Sequence, residues 1–184
     1  MSDRTDPIVV VAYDPGWPGT FRALGRQIRT ALGATARRVD HVGSTAVPGL
    51  DAKPVIDIQV SVTELEPSGA FVRPLEGLGL EFIADNPDRS KRFFRARPGI
   101  PAAHVHVRPW GSFDEQLNLL FRDYLRTHRD AAEEYAAVKR ELALRFRDDR
   151  PGYVRAKEST VWSILRRAHD WAQESAWAPG SSDA

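Results

Sequence analysis

Cysteine is absent from this 184-residue chain. Its absence excludes disulfide bonds, thiolate metal sites and a thiol nucleophile. Long apolar runs are absent as well, because no segment approaches the roughly 20 residues that a membrane-spanning helix needs. The N-terminal sequence reads MSDRTDPIVVV and lacks the charged and then apolar layout of a signal peptide. We therefore expect a cytoplasmic protein without a membrane partner.

A strong excess of charge of one sign is also missing. The formal net charge is +1, and this balance argues against nucleic acid as the main partner. One local exception is residues 89–97, RSKRFFRAR, which contain five basic residues and no acid. Two interpretations stay open for this segment: an edge strand whose charges oppose aggregation, or a local phosphate-binding patch.

The hydrophobic pattern indicates strands in the first 110 residues and helices after them. The sequence predicts an α+β fold, in which a mixed β-sheet has helices packed on it and a C-terminal helical layer. We expect one domain over residues 1–175, helical from about residue 112, and a disordered tail at 176–184. Strands are predicted at 8–13, 36–42, 54–62, 80–84, 91–97 and 103–108, and the first two helices at 18–32 and 68–78.

The strand at 54–62 carries an acid, Asp57, on its polar side together with Gln59. Burying a carboxylate is costly unless it is paired, hydrogen-bonded or bound to a cation. Before this strand lies Gly43-Ser44, and a glycine turn lets backbone N–H groups cradle a phosphate. Asp57 would then hold a divalent cation that bridges to the same phosphate. The alternative is a serine-capped turn and an aspartate bonded to backbone N–H groups.

A second cluster is His104-Val105-His106, in which both histidines face the same side of a predicted strand. With Asp57 they would form a metal site of two histidines and one carboxylate. They would otherwise contact phosphate, or one would act as a general base. Two histidines on a polar sheet face are the plain alternative. His41 joins this group if its strand is adjacent.

Three basic residues are candidates for the walls of such a site. Lys157 falls on the apolar face of the last predicted helix, so it either snorkels to solvent or reaches a phosphate. Lys53 precedes the Asp57 strand and is either a phosphate partner or a solvated loop residue. Arg92 and Arg95 lie on opposite faces of their strand, so only one of them faces a pocket, and we assign Arg92 to it.

Residues 41–60, HVGSTAVPGLDAKPVIDIQV, resemble the signature of the GrpB-like family, which is placed in the nucleotidyltransferase superfamily. AYDPGWPGTF, HVHV, FRDYLRTH and Lys157 also match, so the resemblance covers residues 9–168. It implies a nucleotidyltransferase-like fold that binds a nucleoside triphosphate or another phosphorylated small molecule. Taken together with the residue patterns above, it leads us to predict Asp57, His104 and His106 as catalytic residues and as ligands of Mg²⁺ or Mn²⁺. The predicted binding residues are Gly43, Ser44, Thr45, Lys53, Gln59, Arg92 and Lys157.

One position departs from the superfamily pattern. An active nucleotidyltransferase usually has two acids two residues apart on one strand face, where they share Mg²⁺ ions, but the second position here is Gln59. Transfer of a nucleotidyl group to a small acceptor therefore competes with a non-catalytic nucleotide- or phosphate-binding accessory module. The resemblance suits an accessory role, because family domains also occur fused to a kinase of coenzyme A biosynthesis. A third hypothesis is a metal-dependent hydrolase that uses the histidine pair. The sequence does not indicate the oligomeric state.

Overall fold

The computed structural model describes residues 7–184, so the first six residues of the expected domain lie outside it. Within that part there are five strands and five α-helices: one helix precedes the strands, a second lies among them, and the other three follow the last strand. The strands are β1 Arg38–Val42, β2 Ile56–Val62, β3 Leu80–Phe82, β4 Arg92–Ala96 and β5 Ala103–Pro109. The helices are α1 Trp17–Leu32, α2 Gly69–Gly77, α3 Phe113–Thr127, α4 Arg129–Arg145 and α5 Arg150–Glu174.

The strands form one sheet in the order β1-β2-β5-β4-β3. β2 and β5 are parallel, and every other neighbouring pair is antiparallel. This mixed sheet with packed helices confirms the predicted α+β class. Asp57 is the register partner of both Val42 on β1 and His104 on β5. The polar positions of three strands are thereby gathered on one sheet face.

The opposite sheet face carries the main hydrophobic core. Strand alternation sends Ile58 and Val60 of β2 to this face, where both are fully buried. They belong to a cluster with Phe21, Leu24 and Ile28 of α1, whose spacing places them on one side of that helix. A second cluster joins α3, α4 and α5 to Val47 and Leu50. The helical layer therefore holds the loop between β1 and β2 in place.

The predicted strand at 8–13 does not form. Its segment makes a single antiparallel bridge, between Val11 and Ala52, and the Ile8 N–H donates to the Arg147 carbonyl at 2.7 Å. Val9 and Val11 stay exposed. The β-branched run thus ties the loop before β2 to the chain beyond α4 instead of extending the sheet.

The segment at 176–184, expected to be a disordered tail, instead ends against β1. Ser182 Oγ accepts from the Val39 N–H at 2.8 Å, and the Ala184 N–H donates to the Val39 carbonyl at 3.1 Å. Its composition is typical of disorder, but its serine and aspartate side chains find partners that are distant in sequence. None of the helices in residues 7–184 is long and apolar enough to span a membrane.

Candidate functional site

Asp57 and two histidines meet on the polar face of the sheet. His104 Nδ1 lies 3.3 Å from Asp57 Oδ1, and His106 Nε2 lies 3.6 Å from the same oxygen. The parallel pairing of β2 with β5 produces this contact, since Asp57 is opposite His104. The three side chains are between 20% and 32% exposed, so a ligand can reach the cluster. The predicted convergence of these residues is therefore present in the structure.

The cluster keeps its carboxylate ionised. Burial acts to raise the pKa of Asp57, but the interactions with His104 and His106 outweigh it and hold the pKa below its usual range. Burial lowers the pKa of His106, against the opposing effect of Asp57. The ring nitrogen of His106 that faces Asp57 is Nε2. Its Nδ1 is buried, with no hydrogen-bond partner among the described residues.

Phe93 of β4, the strand on the other side of β5 from Asp57, packs against the two imidazoles. Its ring centroid lies 5.3 Å from that of His104 and 5.1 Å from that of His106. The guanidinium carbon of Arg95 lies 5.4 Å from the Phe93 ring centroid. Sequence reasoning missed Phe93, because an aromatic residue in a strand is more often a core residue than part of a site.

Arg92 faces away from this cluster, contrary to the prediction. It is opposite Val107 in the β4–β5 register, so it lies on the core face, where its guanidinium pairs with Glu66 at 2.7 Å. Arg95, opposite His104, is the arginine on the Asp57 side. The alternation of the two arginines was predicted correctly; the choice between them depended on the strand register, which the sequence does not show.

The turn after β1 requires glycine at position 43. Gly43 has a φ of 70°, a backbone conformation that favours glycine. A Cβ there would lie 2.6 Å from Asp57 Oδ2, so a larger residue would push the carboxylate away. Ser44 begins the short 3₁₀ helix Ser44–Ala46 and stays partly exposed. Gly43 and Ser44 are therefore next to Asp57, as predicted.

The side chains of Thr45 and His41 contact each other and are not available to a ligand. His41 Nε2 lies 3.0 Å from Thr45 Oγ1, and both residues are buried. His41 lies on the core face of β1, stacked on Phe21 with 4.7 Å between ring centroids. Burial, with a smaller effect of Arg126, lowers its pKa to about 4. Thr45 has no free hydroxyl for a ligand, and His41 does not join the Asp57 cluster although its strand is adjacent.

Lysines from three elements gather beyond the turn. The Nζ atoms of Lys53 and Lys157 lie 5.8 Å and 5.5 Å from the ring centroid of Tyr153. Burial first, and then Arg150 and Lys157, lower the pKa of Lys53 to about 8. Burial and the same Lys157 lower the pKa of Lys139 to about 7. Lys157 thus contributes, after burial, to the lowered pKa of both Lys53 and Lys139, and such a gathering of positive charge would stabilise an anion.

Tyr135 of α4 connects these lysines to the turn. Burial raises the pKa of its hydroxyl, as does the charge of Asp57, while a hydrogen bond with Ser44 opposes this effect. Lys139 Nζ lies 4.7 Å from the Tyr135 ring centroid and donates to the Asp51 carbonyl. Neither Tyr135 nor Lys139 is among the site residues that the sequence predicts. Nothing in the helical spacing alone distinguishes them from packing residues.

Gln59 does not face a ligand, contrary to the prediction. It is fully buried, and both ends of its amide are used by α3. Its Oε1 accepts from Asn118 Nδ2 at 2.9 Å, and its Nε2 donates to the Glu115 carbonyl at 3.1 Å. The position where the superfamily has its second acid is therefore an anchor for a helix.

These donors do not fit a pair of magnesium ions. Mg²⁺ prefers an octahedral shell of oxygen ligands, but the cluster offers one carboxylate and two imidazoles, and the Gln59 oxygen is occupied. In residues 7–184, no group of three or more His, Cys, Asp or Glu side chains is arranged to hold a metal ion. Imidazole nitrogens are also poor ligands for Mg²⁺ and Mn²⁺, which prefer oxygen donors.

Comparison with known proteins places this site in a family. The family model described as "GrpB protein" matches residues 7–167. The chain belongs to the GrpB family. A UPF0157 protein of Pseudomonas aeruginosa is 46% identical over 169 residues, which are 89% of this chain and 68% of that protein. A dephospho-CoA kinase of Mycolicibacterium paratuberculosis is 38% identical over 199 residues, and the match covers 94% of this GrpB chain but 49% of the kinase.

Solved structures agree with this assignment. The crystal structure of the conserved protein GrpB from Enterococcus faecalis superposes with a TM-score of 0.81 at 30% identity, over 90% of this chain and 99% of that one. A Cid1 poly(U) polymerase structure with bound Mg 3′-dATP gives a TM-score of 0.52 at 14% identity, over 74% of this chain and 44% of that one. At that identity the likeness shows the fold alone. The GrpB chain has a nucleotidyltransferase-type fold.

Proposed function

We propose that the chain binds a nucleoside triphosphate or another phosphorylated small molecule on the open part of its polar sheet face. The observation that supports this most directly is the gathering of Lys53 and Lys157 around Tyr153, on the Asp57 side of the sheet. Tyr135 contacts both Ser44 and a third lysine, Lys139. Together they form a set of hydrogen-bond donors with a surplus of positive charge.

The chemistry of each group suits a phosphate chain. The ammonium groups of Lys53 and Lys157 supply charge-assisted hydrogen bonds to phosphate oxygens. The backbone N–H groups and the hydroxyl of Ser44 add neutral donors at a glycine turn. A bound polyphosphate would also offset the burial of Lys53 and the nearby charges of Arg150 and Lys157, which together lower the pKa of Lys53. Binding of this kind needs no metal ion.

Nucleotidyl transfer to a small acceptor is the second candidate. It is favoured by the contact of two imidazoles with an ionised carboxylate, at 3.3 and 3.6 Å. An imidazole held by a carboxylate is a suitable general base for an acceptor hydroxyl. The hydrolase hypothesis needs the same three side chains to hold a metal ion, which their arrangement in the described residues does not support.

The relatives suggest one further probe. The mycobacterial relatives are named dephospho-CoA kinase, and this chain spans about half their length. A domain that accompanies such a kinase could bind a phosphorylated ligand of the same class. Dephospho-CoA is therefore tested beside the nucleoside triphosphates.

The test is calorimetric titration with each nucleoside triphosphate and with dephospho-CoA, first with EDTA and then with Mg²⁺ or Mn²⁺. We expect binding in EDTA that is lost in the Lys53→Ala/Lys157→Ala double variant. Arg155→Ala is the control, since it removes an exposed charge from the same helix as Lys157. Binding that requires a metal and disappears in Asp57→Asn would instead favour the transfer enzyme. Absence of any binding would rule out both functions.

A further inference from the structure

β1 is an edge strand, and its outer edge is covered by the end of the chain. The Val39 N–H donates to Ser182 Oγ at 2.8 Å, and the His41 N–H donates to Asp183 Oδ2 at 3.0 Å. The Val39 carbonyl accepts from the Ala184 N–H at 3.1 Å. Unpaired edge groups of this kind are a template for strand addition. Here two side chains and one N–H of the tail satisfy them.

Three arginines hold the same short segment. Arg38 donates to the Gly180 carbonyl at 2.7 Å, and Arg29 donates to the Ala184 carbonyl at 2.8 Å. Arg122 of α3 donates to Asp183 Oδ2 at 2.8 Å. Ordering a segment rich in glycine and serine costs conformational entropy. Contacts from β1, α1 and α3 to residues 180–184 therefore indicate a surface built to receive them.

Arg122 carries this contact on toward the ligand-binding turn. Its guanidinium is buried and also donates to the His41 carbonyl at 3.1 Å, two residues before Gly43. From the same helix, Arg126 donates to the Ala46 carbonyl at 2.9 Å. The carboxylate of Asp183 thus meets both the N–H of His41 and the arginine that holds its carbonyl. The end of β1 and the turn after it are therefore held by hydrogen bonds with Asp183 of the tail and with Arg122 and Arg126 of α3.

We propose that the outer edge of β1, with Arg29, Arg38 and Arg122, is a docking site for the extended segment 180–184, and that docking holds the turn Gly43–Ala46 in its ligand-binding geometry. The occupant is the chain's own segment. Strand-edge docking of an extended segment uses main-chain groups for affinity and side chains for specificity. Asp183 acts here as a positioning residue, because it touches Arg122 and His41 and not the ligand. The effect on ligand binding rests on the proposed function; the effect on the turn does not.

Amide hydrogen exchange of the full chain tests the proposal directly. In Asp183→Ala we expect the Val39 and His41 amides to exchange about 10-fold faster, since local opening then costs less. The Ala46 and Val47 amides, which donate to the Gly43 and Ser44 carbonyls at 3.2 Å, should exchange faster too. Asp170→Ala, at an exposed position of α5, is the control and should leave all four rates unchanged. Unchanged rates at Val39 and His41, or an increase confined to them, would overturn the proposal.

Titration with the nucleoside triphosphates separates this inference from the proposed function. In a wild-type chain that binds, Asp183→Ala should weaken binding about fivefold, because part of the binding energy then orders the turn. Equal affinity of the two proteins would overturn the coupling. If the wild-type chain binds nothing and the turn amides still respond to Asp183→Ala, the proposed function fails while the docking site stands.

Discussion

The two ends of the polar face of β2 differ in their exposure to solvent. At one end Asp57 is 32% exposed and touches two imidazoles. Two and four residues further along the same face, Gln59 and Ser61 are fully buried beneath α3. Both ends arise from one alternating pattern. The comparison shows that alternation selects the face of the sheet, whereas the helix that packs on it decides which positions stay available for chemistry.

The end of β2 that α3 covers, at Gln59 and Ser61, is called the sealed end here, and the end at Asp57 the open end. Acids are present at the sealed end as well, but they stabilise the fold. Glu115 of α3 is fully buried, and its carboxylate accepts from Ser61 Oγ at 2.6 Å and from the Gly111 N–H at 2.9 Å. Asp40, the register partner of Gln59 on β1, pairs with Arg38 at 2.9 Å. Neither carboxylate is free to complete a metal site beside Asp57.

The largest effect is expected from Glu115→Ala at the sealed end. The change leaves the buried Ser61 hydroxyl and the Gly111 N–H without their acceptor, so the free energy of unfolding should fall by about 3 kcal/mol. Urea denaturation measures this. Glu158→Ala, an exposed acid of α5, should change it by less than about 0.5 kcal/mol. Equal stability of the two variants would show that the hydrogen bonds of Glu115 do not stabilise the packing of α3 on β2.

Gln59→Asp tests whether the sealed end can be converted into the open one. The shorter side chain loses both contacts to α3 and buries a carboxylate next to Asp40, so we expect a loss of about 2 kcal/mol of unfolding free energy. Titration with Mn²⁺ followed by electron paramagnetic resonance should find no ion beyond those bound by the wild type. A stable variant that binds one more ion would show that only the missing acid separates the two ends.

Lys157→Ala affects the open end alone. Because its ammonium group contacts the ligand in our proposal, the dissociation constant for a nucleoside triphosphate should rise about 10-fold, which is 1.4 kcal/mol. The urea midpoint should stay within experimental error of the wild type, since Lys157 makes no described ion pair that holds the fold. Arg155→Ala on the same helix should alter neither quantity. A loss of stability equal to the loss of binding would assign Lys157 to packing.

The smallest predicted effect is a dependence on pH. Burial and the neighbouring cations lower the pKa of Lys53 to about 8, so this lysine loses its charge as the pH rises through 8. The affinity for a phosphorylated ligand should therefore fall about threefold between pH 7.5 and 9, where the charge of the phosphate is nearly constant. Lys53→Arg keeps its charge and should remove the dependence. Calorimetry at several pH values measures both proteins, and an identical pH profile for the two would exclude Lys53 as the titrating group.

Position within a strand was predicted well, and the orientation toward neighbours was not. The family string and the alternation around Asp57 led to the correct fold and to the contact with His104 and His106. The choice of Arg92 over Arg95 failed because it required the register of β4 on β5. The assignment of Gln59 to a ligand failed because its two partners, Asn118 and Glu115, lie more than 50 residues away in the chain.

The sequence by itself determined the family, the α+β order of elements and the polar side of β2, since these depend on local pattern and on one long specific string. Only the tertiary structure decided which half of that polar side is open. It also decided that the tail docks on β1 and that Tyr135 and Lys139 stand beside the turn. The physical reason is common to all three. Each rests on hydrogen bonds and charge contacts between elements distant in sequence, which form only when the helical layer has packed on the sheet.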